Sequence, residues 1–521
     1  MDLTFEGHTL VQVDAGQSHE PLDESVVVDR HRTAIKRYDL SKPVKLLMKH
    51  GLLREGHRFF DYGCGRGMDV EGLQSLGYEA TGWDPAFRPK AKRTAADVVN
   101  LGYVLNVIER PQERIEALQG AFKLSDDVLI VSALPRGQET DAHTRPLGDG
   151  FLTKSGTFQK FYAPGELEDL IEQCLDREPV TLALGICLVF EDPIRREQFL
   201  SARTRRHVDW TEISSQLRFS QPVAREEQMV GRYQLHRELM DNLWSCMLEL
   251  GRAPDPTEFD QLEDLKQRTG GLKRSVELAQ RYHSPDLLTE ARRLREEDVL
   301  VYLAMKHFER RFLRKHLPDR MRRDIKVFFG DFERAKQKSV ELLFASGDPD
   351  ELWLALKEVN CGHLDLQESH FTFHRSLLDQ LPAILRVYVF CGLRRFGDLD
   401  EVDVIKIHVG SGKLTLQRYD DFDGKPLPEL QLRIKIDLRK DFVTVFDHTL
   451  GEDRQLLFFK ERFAPADYEF KNDASGFSKR LEKLGFDPKT IGYGPSLFEF
   501  LSLCELRGLT KSLLLKRVVK K

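Results

Sequence analysis

Residues 59–70 read FFDYGCGRGMDV, in which an aromatic pair and an acid precede three glycines at alternate positions, Gly63, Gly65 and Gly67. The segment that leads into them, HRFFDYG, has the apolar character of a buried strand. Residues 68–77, MDVEGLQSLG, follow as a predicted helix. A glycine-rich turn between a strand and a helix lets the backbone approach a ligand closely, and the helix start offers free N–H groups. This stretch therefore predicts a ligand-binding loop at the edge of an α/β sheet.

The glycine spacing separates two classes of ligand. A dinucleotide site uses G-x-G-x-x-G, which would place a glycine where this chain has Met68. The order found here, acid-x-G-x-G-x-G from Asp61, is instead typical of S-adenosyl-methionine (SAM) sites in Rossmann-like methyltransferases. SAM has a zwitterionic amino-acid end, so an acid beside the loop is tolerated, whereas it would repel a pyrophosphate. The next predicted strand, YEATGWD, ends at Asp84, and a carboxylate there can accept hydrogen bonds from ribose hydroxyls.

These observations predict a SAM site at two strand ends. Its members are the acids and glycines above and the residues next to them: Asp61, Gly63, Cys64, Gly65, Gly67, Asp84 and Pro85.

Alternating strands and helices continue to about residue 200 and predict an open, Rossmann-like α/β sheet. The later elements are strand ADVVNLGYVLNVI with its exit, helix PQERIEALQGAFKLS, strand DDVLIVSAL, helix PGELEDLIEQCL and strand VTLALGICLVF. Only 12 residues separate Asp84 from Asp97. We therefore expect the usual third strand to be reduced or missing.

Asn100 and Tyr103 are the candidate catalytic residues. The sequence NLGY keeps the Asn-x-x-Tyr spacing of the amino-methyltransferase motif Asn-Pro-Pro-Tyr, although both prolines are absent. The two residues are predicted at the carboxyl end of a strand, where open α/β sheets place their sites. The alternative is that Asn100 only turns the chain and that Tyr103 only packs.

Segments spread over most of the chain resemble the DNA phosphorothioation-associated methyltransferase family. They are HRTAIKR (31–37), FDYGCGRG (60–67), GWDP (82–85), VVNLGYVLNVIE (98–109), GTFQKFY (156–162), YDDFDGKPLP (419–428) and RIKIDLR (433–439). The resemblance implies a SAM-dependent methyltransferase fold with large appended domains. It also implies a bacterial DNA-modification or phage-defence setting, with proteins of a phosphorothioation system as expected partners. It supplies no substrate.

Pattern changes along the chain predict its domain organisation. A leader, residues 1–26, precedes a class I SAM methyltransferase domain, residues 27–210. A charge-rich helical domain, residues 211–360, follows, and residues 361–521 form a predicted α+β domain. Alternating apolar residues in VDVIKIHVG, GKLTLQRYD and LQLRIKIDL predict an antiparallel meander in that last domain, and YDDFDGKPLP is predicted to be a rigid turn.

Candidate substrate contacts lie in two places. Residues 309–326, ERRFLRKHLPDRMRRDIK, carry eight Lys/Arg against three Asp/Glu, so Arg322 and Arg323 are predicted to bind nucleic-acid phosphates. The alternative is a solvated helix face. Lys160 and Tyr162 of the sequence QKFY are predicted to rim the substrate pocket.

Composition restricts the remaining function classes. The net charge is −5, so nucleic acid must be bound by local basic patches. The seven cysteines form no CxxC pair, which indicates a reducing compartment and argues against structural zinc. His363, His370 and His374 lack companion ligands at metal-binding spacing, so no metal is predicted. Without a long uncharged apolar run, the protein is predicted to be cytoplasmic and free of the membrane.

The sequence therefore predicts a SAM-dependent methyltransferase that acts on nucleic acid, with DNA favoured. Two alternatives stay open. One is a DNA-binding or assembly protein that binds SAM without catalysis. The other is a methyltransferase that acts on small molecules.

Overall fold

The computed structural model describes residues 3–6, 9–12, 28–33, 39–136, 145–210, 231, 233–310, 312–366, 369–449, 454–486 and 494–506. The chain divides into two compact units. The first unit comprises Met1–Pro193, Leu393–Glu401 and Asp441–Phe446, and the second comprises Ile194–Gly392, Val402–Lys440 and Asp447–Lys521. Both units are discontinuous in sequence, and the domain boundaries at residues 26, 210 and 360 stay predictions.

The first unit alternates strands and helices, as the sequence predicts. Its described elements are, in chain order, β1 (Leu3–Glu6), β2 (Thr9–Gln12), α1 (Lys42–Lys49), β3 (Arg58–Tyr62), α2 (Met68–Ser75), β4 (Glu79–Trp83), β5 (Ala96–Gly102), α3 (Pro111–Phe122), β6 (Ser125–Ser132), β7 (Arg145–Leu147), β8 (Gly150–Leu152), β9 (Phe158–Gln159), α4 (Glu166–Leu175), β10 (Val180–Ala183) and β11 (Ile186–Phe190). Strands β1 and β2 pair with each other inside the segment predicted as a leader.

The main sheet has the order β10-β11-β6-β5-β3-β4. Strands β4, β3, β5 and β6 are parallel, and β11 runs antiparallel to β6. The parallel α/β core is therefore confirmed. From β3 the chain passes first to β4 on one side and then to β5 on the other, so the strand order reverses at β3. Open α/β sheets bind their ligands at such a switch point.

The connection from β4 to β5 contains no strand of the main sheet, which confirms the expectation of a reduced third-strand region. Most positions of β5 and β6 are buried. Such nearly continuous burial is typical of parallel strands that are covered on both faces. Side chains of α3 and α4, including Leu118 and Ile171, pack with strand residues such as Phe60, Val99 and Leu129 in one core.

The prediction of a single strand over VTLALGICLVF is wrong. The segment forms the hairpin of β10 and β11, in which Val180 pairs with Leu188 and Ala183 with Ile186. Gly185 turns the chain with φ +71°, and a Cβ there would lie 2.3 Å from the carbonyl oxygen of Ala133. Only glycine combines that backbone conformation with so close an approach.

The second unit is helical over much of its length and contains an antiparallel sheet. Its elements are α5 (Pro193–Thr204), α6 (Arg237–Leu250), α7 (Leu262–Thr269), α8 (Leu272–Tyr282), α9 (Pro285–Lys306), α10 (Asp319–Phe329), α11 (Phe332–Ala345), α12 (Pro349–Lys357), β12 (His363–Asp365), β13 (His370–His374), α13 (Ala383–Phe396), β14 (Val404–His408), β15 (Lys413–Tyr419), β16 (Leu430–Asp437), β17 (Phe442–Asp447), α14 (Lys471–Lys483) and α15 (Leu497–Leu506). Two of these elements are shared between the units in sequence: residues 393–396 of α13 and residues 442–446 of β17 belong to the first unit's segments. Strands β12 to β16 pair in sequence order, each antiparallel to the next, which confirms the predicted meander.

A buried ion network lies among the helices of the second unit. Asp298 on α9 accepts hydrogen bonds from the guanidinium groups of Arg295, at 2.8 Å, and Arg386, at 2.7 Å. Arg206 donates its backbone N–H to the same carboxylate at 3.2 Å. Arg386 is fully buried, so the carboxylate of Asp298, and not water, compensates its positive charge inside the core.

The segment YDDFDGKPLP forms the predicted rigid turn. Asp421, at φ +82°, accepts a hydrogen bond from the backbone N–H of Gly424. The ammonium group of the buried Lys460 donates to the carbonyl oxygens of Phe422, Asp423 and Lys425. The ammonium group of Lys460 thus fixes the backbone of this turn, so the contacts of the segment are structural.

Candidate active site

A cavity of about 720 Å³ lies at the carboxyl ends of β3, β4 and β5 in the first unit. Its walls are formed by the glycine loop after β3, by the segment after Trp83 and by the exit from β5. This is the switch point of the sheet, the place where open α/β folds bind ligands.

The glycine loop has a backbone conformation that other residues rarely adopt. The φ angles of Gly63, Gly65 and Gly67 are +83°, +52° and +83°. A Cβ on Gly63 would lie 2.5 Å from a methyl carbon of Val104. The loop is tied to the next strand, because the N–H groups of Gly63 and Cys64 both donate to the carbonyl oxygen of Trp83, at 2.8 and 3.1 Å.

Asp84 organises the same loop. One of its carboxylate oxygens accepts a hydrogen bond from the backbone N–H of Gly65 at 3.0 Å. The other accepts from the N–H groups of Ala86 and Phe87, at 2.8 and 2.9 Å. A carboxylate has about four lone-pair sites, so capacity remains for a ligand hydroxyl. Pro85 also lines the cavity.

Two buried carboxylates stand close to the loop. Asp61 and Asp69 are each 4% exposed, and both line the cavity. Asp69 accepts a hydrogen bond from the backbone N–H of Ser41, and Asp61 accepts one from the side-chain amide of Asn100. This concentration of negative charge disfavours a pyrophosphate and suits a ligand with a cationic group.

The thiol of Cys64 lines the cavity, and its raised pKa argues against a role as a nucleophile. Burial, and after it the nearby Asp61 carboxylate, raise the pKa of Cys64 to about 12. The thiol is therefore neutral at physiological pH, where only a thiolate would attack.

Asn100 lies within strand β5, directly opposite Asp61 in the parallel ladder, and is therefore no turn residue. Its amide nitrogen donates to Asp61 at 2.8 Å. Tyr103 follows the strand at φ +57°, and its backbone N–H donates to the carbonyl oxygen of Ser132. Both residues line the cavity.

Three cavity residues carry buried polar atoms that have no hydrogen-bond partner in the described part of the chain. They are Ser41 Oγ, Asn100 Oδ1 and Gln159 Oε1. A buried polar atom without a partner costs about 1–3 kcal/mol. All three atoms can accept hydrogen bonds, so the cavity is suited to a ligand that brings donors. Neither Ser41 nor Gln159 was among the residues singled out from the sequence.

Lys160 and Tyr162 are buried side chains that do not line this cavity. The ammonium group of Lys160 pairs with Glu166 at 2.6 Å and with Asp149 at 3.0 Å. The hydroxyl of Tyr162 donates to the carbonyl oxygen of Leu105 at 3.4 Å, and burial raises the pKa of Tyr162 above its ordinary value. Their contacts hold the segment in place and give no support to a role at the rim. Gln159, their neighbour, faces the cavity instead.

Two aromatic surfaces at the cavity carry guanidinium groups. The Arg93 guanidinium carbon lies 3.7 Å from the ring centre of Trp83, and that of Arg66 lies 5.2 Å from the ring centre of Phe87. All four residues line the cavity. Such flat, cation-capped faces are suited to stacking with an aromatic ligand ring.

Arg322 and Arg323, the predicted phosphate contacts, have different ion-pair partners in the second unit. Arg322, on α10, is exposed; it forms a local ion pair with Asp319, three residues away, and donates to the carbonyl oxygen of Lys315 at 3.5 Å. Arg323 is bound to Glu258 and Asp255, at 3.3 and 3.4 Å. An exposed local pair is weak and can be exchanged for a phosphate, whereas Arg323 is engaged in holding its own unit together. The basic C-terminal segment, residues 510–521, lies outside the described residues.

Among the described residues, one group has side chains close enough together to share a metal ion: His50, Asp398 and Asp400 of the first unit. Lys49 pairs with Asp400 at 2.7 Å, so the group is also a charge-balanced cluster. His363, His370 and His374 do not form such a group in the part of the chain that the structure describes. No helix found in those residues is long and apolar enough to cross a bilayer.

Comparison with known proteins gives matches only at the level of solved structures. No protein-family model and no curated protein matches the chain. The chain is similar to 1,6-didemethyltoxoflavin-N1-methyltransferase of Burkholderia thailandensis, crystallised with S-adenosylhomocysteine, at 14% identity and a TM-score of 0.23, over 31% of this chain and 78% of that one. A second match is magnesium protoporphyrin IX methyltransferase of Synechocystis, crystallised with SAM, at 14% identity and a TM-score of 0.21, over 31% and 89%. A third is a SAM-dependent methyltransferase of Methanosarcina mazei, at 17% identity and a TM-score of 0.21, over 29% and 96%. With identities and TM-scores this low, the likeness assigns no function to this chain.

Proposed function

We propose that this chain is a SAM-dependent methyltransferase that acts on nucleic acid. The observation that carries the proposal is the cavity at the sheet's switch point, which is lined by the left-handed Gly63 and Gly65 after one strand and by Asp84 after the next. SAM supplies an electrophilic methyl group when it is bound. The chain's own contribution is to bind, orient and shield the two reactants.

The cavity residues divide naturally along such a ligand. The glycine loop with Asp61 is suited to the methionine end, because a buried carboxylate attracts an ammonium group. Asp84 is suited to the ribose, and the ring of Phe87 to the adenine. Pro85 and Cys64 also line the cavity, and the neutral thiol of Cys64 would contact the ligand without reacting with it.

Removing the carboxylate of Asp84 tests the ribose contact. Asp84→Ala is expected to weaken SAM binding by about 1.5–3 kcal/mol, the range for hydrogen bonds to a charged group. Titration calorimetry measures the change. Asp127→Ala is a matched control, because Asp127 lies on β6 away from the cavity and should leave the affinity for SAM unchanged. An Asp84→Ala variant with wild-type affinity would remove Asp84 from the site.

Nucleic acid is favoured as the acceptor by the DNA-modification setting that the resemblance implies and by exposed cations of the second unit. Four of these lie between residues 314 and 326: Arg314, Lys315, Arg322 and Lys326. In the first unit, Tyr103 and Asn100 are the proposed contacts of the methyl acceptor. A base that reacts must leave the duplex stack, at a cost of a few kcal/mol, so single-stranded DNA should be the better substrate.

If the exposed cations contact phosphates, they should contribute to the salt dependence of DNA binding. Arg322→Ala combined with Lys326→Ala should weaken binding to all DNA sequences alike and reduce the slope of log affinity against log salt by about 1–2. Arg237→Ala with Arg334→Ala removes two cations that are also exposed but lie outside this run, and it should leave the slope unchanged. If the slope of the Arg322→Ala, Lys326→Ala variant equals that of the control variant, residues 314–326 form only a solvated helix face.

Transfer of labelled methyl groups from SAM to single-stranded DNA, duplex DNA and RNA tests the proposed function itself. Label on nucleic acid supports it. Saturable SAM binding without transfer would instead favour the SAM-binding DNA or assembly protein. Label on small molecules alone would favour the small-molecule enzyme.

A further inference from the structure

Gln159 is held rigidly where it meets the cavity. It ends β9, and the next residue's backbone N–H donates to the carbonyl oxygen of Asn106 at 2.8 Å. Asn106 is 1% exposed, and its side-chain amide binds the carbonyl oxygen of Lys160 at 2.5 Å and the N–H of Leu134 at 3.0 Å. The loops after β5 and β6 thus clamp the Gln159 segment onto the carboxyl edge of the sheet.

This placement puts Gln159 on the wall that the cofactor residues do not occupy. The glycine loop and Asp84 belong to the ends of β3 and β4, whereas Tyr103, Asn106 and Leu134 line the cavity from the ends of β5 and β6. Gln159 joins this second wall. A methyl acceptor must approach from the side away from the cofactor, which is the side of this wall.

The amide oxygen of Gln159 is the notable atom there. It is buried and has no hydrogen-bond partner among the described residues. An anchored backbone and an unused acceptor atom make a binding site for a hydrogen-bond donor, because a ligand group that donates to the atom removes its desolvation penalty.

We propose that Gln159 selects the methyl acceptor by accepting a hydrogen bond from its amino group, so that the enzyme methylates an exocyclic amine of a nucleobase. This inference rests on the proposed function. A hydroxyl acceptor would have to lose its proton during attack, and the neutral amide of Gln159 cannot take that proton from the group that donates to it. An amino nitrogen can attack first and lose its proton afterwards, and the hydrogen bond to Gln159 increases its electron density.

The step balances without a further reactant. The nitrogen lone pair forms the new N–C bond while the C–S bond of the sulfonium breaks and its electron pair passes to sulfur. The methylated nitrogen then releases one proton to water. The amide of Gln159 orients the amino group throughout and is unchanged by the reaction.

Gln159→Met tests the inference, since methionine has a similar length and no strong acceptor. We expect the melting temperature to rise by about 2–4 °C, because an unpartnered buried acceptor is removed. SAM affinity should stay at the wild-type value, and methyl transfer to a mixed-sequence single-stranded oligodeoxynucleotide should fall at least about tenfold. An oligonucleotide of dT alone, which has no exocyclic amine, should receive no label. Gln119→Met, an exposed position on α3, is the matched control and should change none of these quantities.

The outcomes separate the two proposals. Methylated amino nitrogens on dA, dC or dG, together with a more stable and less active Gln159→Met, support the role of Gln159. Loss of both stability and activity in that variant would show a structural residue and overturn the inference. Wild-type transfer by the variant, methyl groups on carbon, oxygen or a ring nitrogen, or a wild type that binds SAM without methylating either oligonucleotide would also overturn it. If the wild-type chain does not bind SAM, the proposed function itself is wrong, and the role of Gln159 fails with it.

Discussion

Gly65→Val is expected to abolish SAM binding, with a loss of affinity of at least about 100-fold, or about 2.7 kcal/mol. Gly65 has φ +52°, and its N–H donates to Asp84. A β-branched residue is a strong outlier at positive φ, so valine forces the loop into another path and brings a side chain into the space for the ligand. Calorimetric titration with SAM measures the effect.

Gly77→Val separates this local effect from general backbone strain. Gly77 has φ +89° in the same unit, and a Cβ there would meet nothing within 4 Å. It does not line the cavity. We therefore expect Gly77→Val to lower the melting temperature while keeping wild-type affinity for SAM. Equal affinities of both valine variants would mean that the glycine loop does not hold SAM.

Asp298→Ala is expected to destabilise the second unit by about 3–5 kcal/mol, since it leaves buried arginines without their common partner. Arg386 is fully buried, and Arg295 has a side chain only 2% exposed. Because a chain of two units does not unfold in one step, hydrogen exchange of the amides in α9 and α13 is the suitable measurement. Protection there should fall by several orders of magnitude.

Asp319→Ala is the matched control for this prediction. Asp319 is exposed on α10, and its ion pair in the part of the chain that the structure describes is the one with Arg322, so its removal should change stability by less than about 1 kcal/mol. Comparable losses of protection in the two variants would mean that the buried network contributes no more than a surface ion pair.

The core of the candidate site could be predicted because its signals are local. Glycine at positive φ, an acid at a strand end and an apolar run before each are properties of short segments, and the structure places Asp61, the glycine loop and Asp84 around one cavity. The hairpin at Gly185 escaped prediction for a related reason. A single glycine inside an apolar run also fits a continuous strand, and only the close approach to Ala133 shows that the chain turns.

The remaining site residues depend on tertiary contacts that no local pattern reveals. Ser41 precedes α1 and Gln159 ends β9, and packing alone brings both to the cavity. Arg322 and Arg323 illustrate the same limit on one helix. Successive residues of a helix point about 100° apart, so one is exposed while its neighbour meets Glu258 from a different segment. The sequence run shows both charges and not their partners.

Titration of the wild-type chain with SAM, with NAD as the comparison ligand, tests the central claim most directly. The account predicts saturable binding of one SAM per chain and no measurable binding of NAD, because Asp61 and Asp69 are buried beside the loop where a pyrophosphate would lie. Tight binding of NAD, or no heat of binding with SAM, would contradict it.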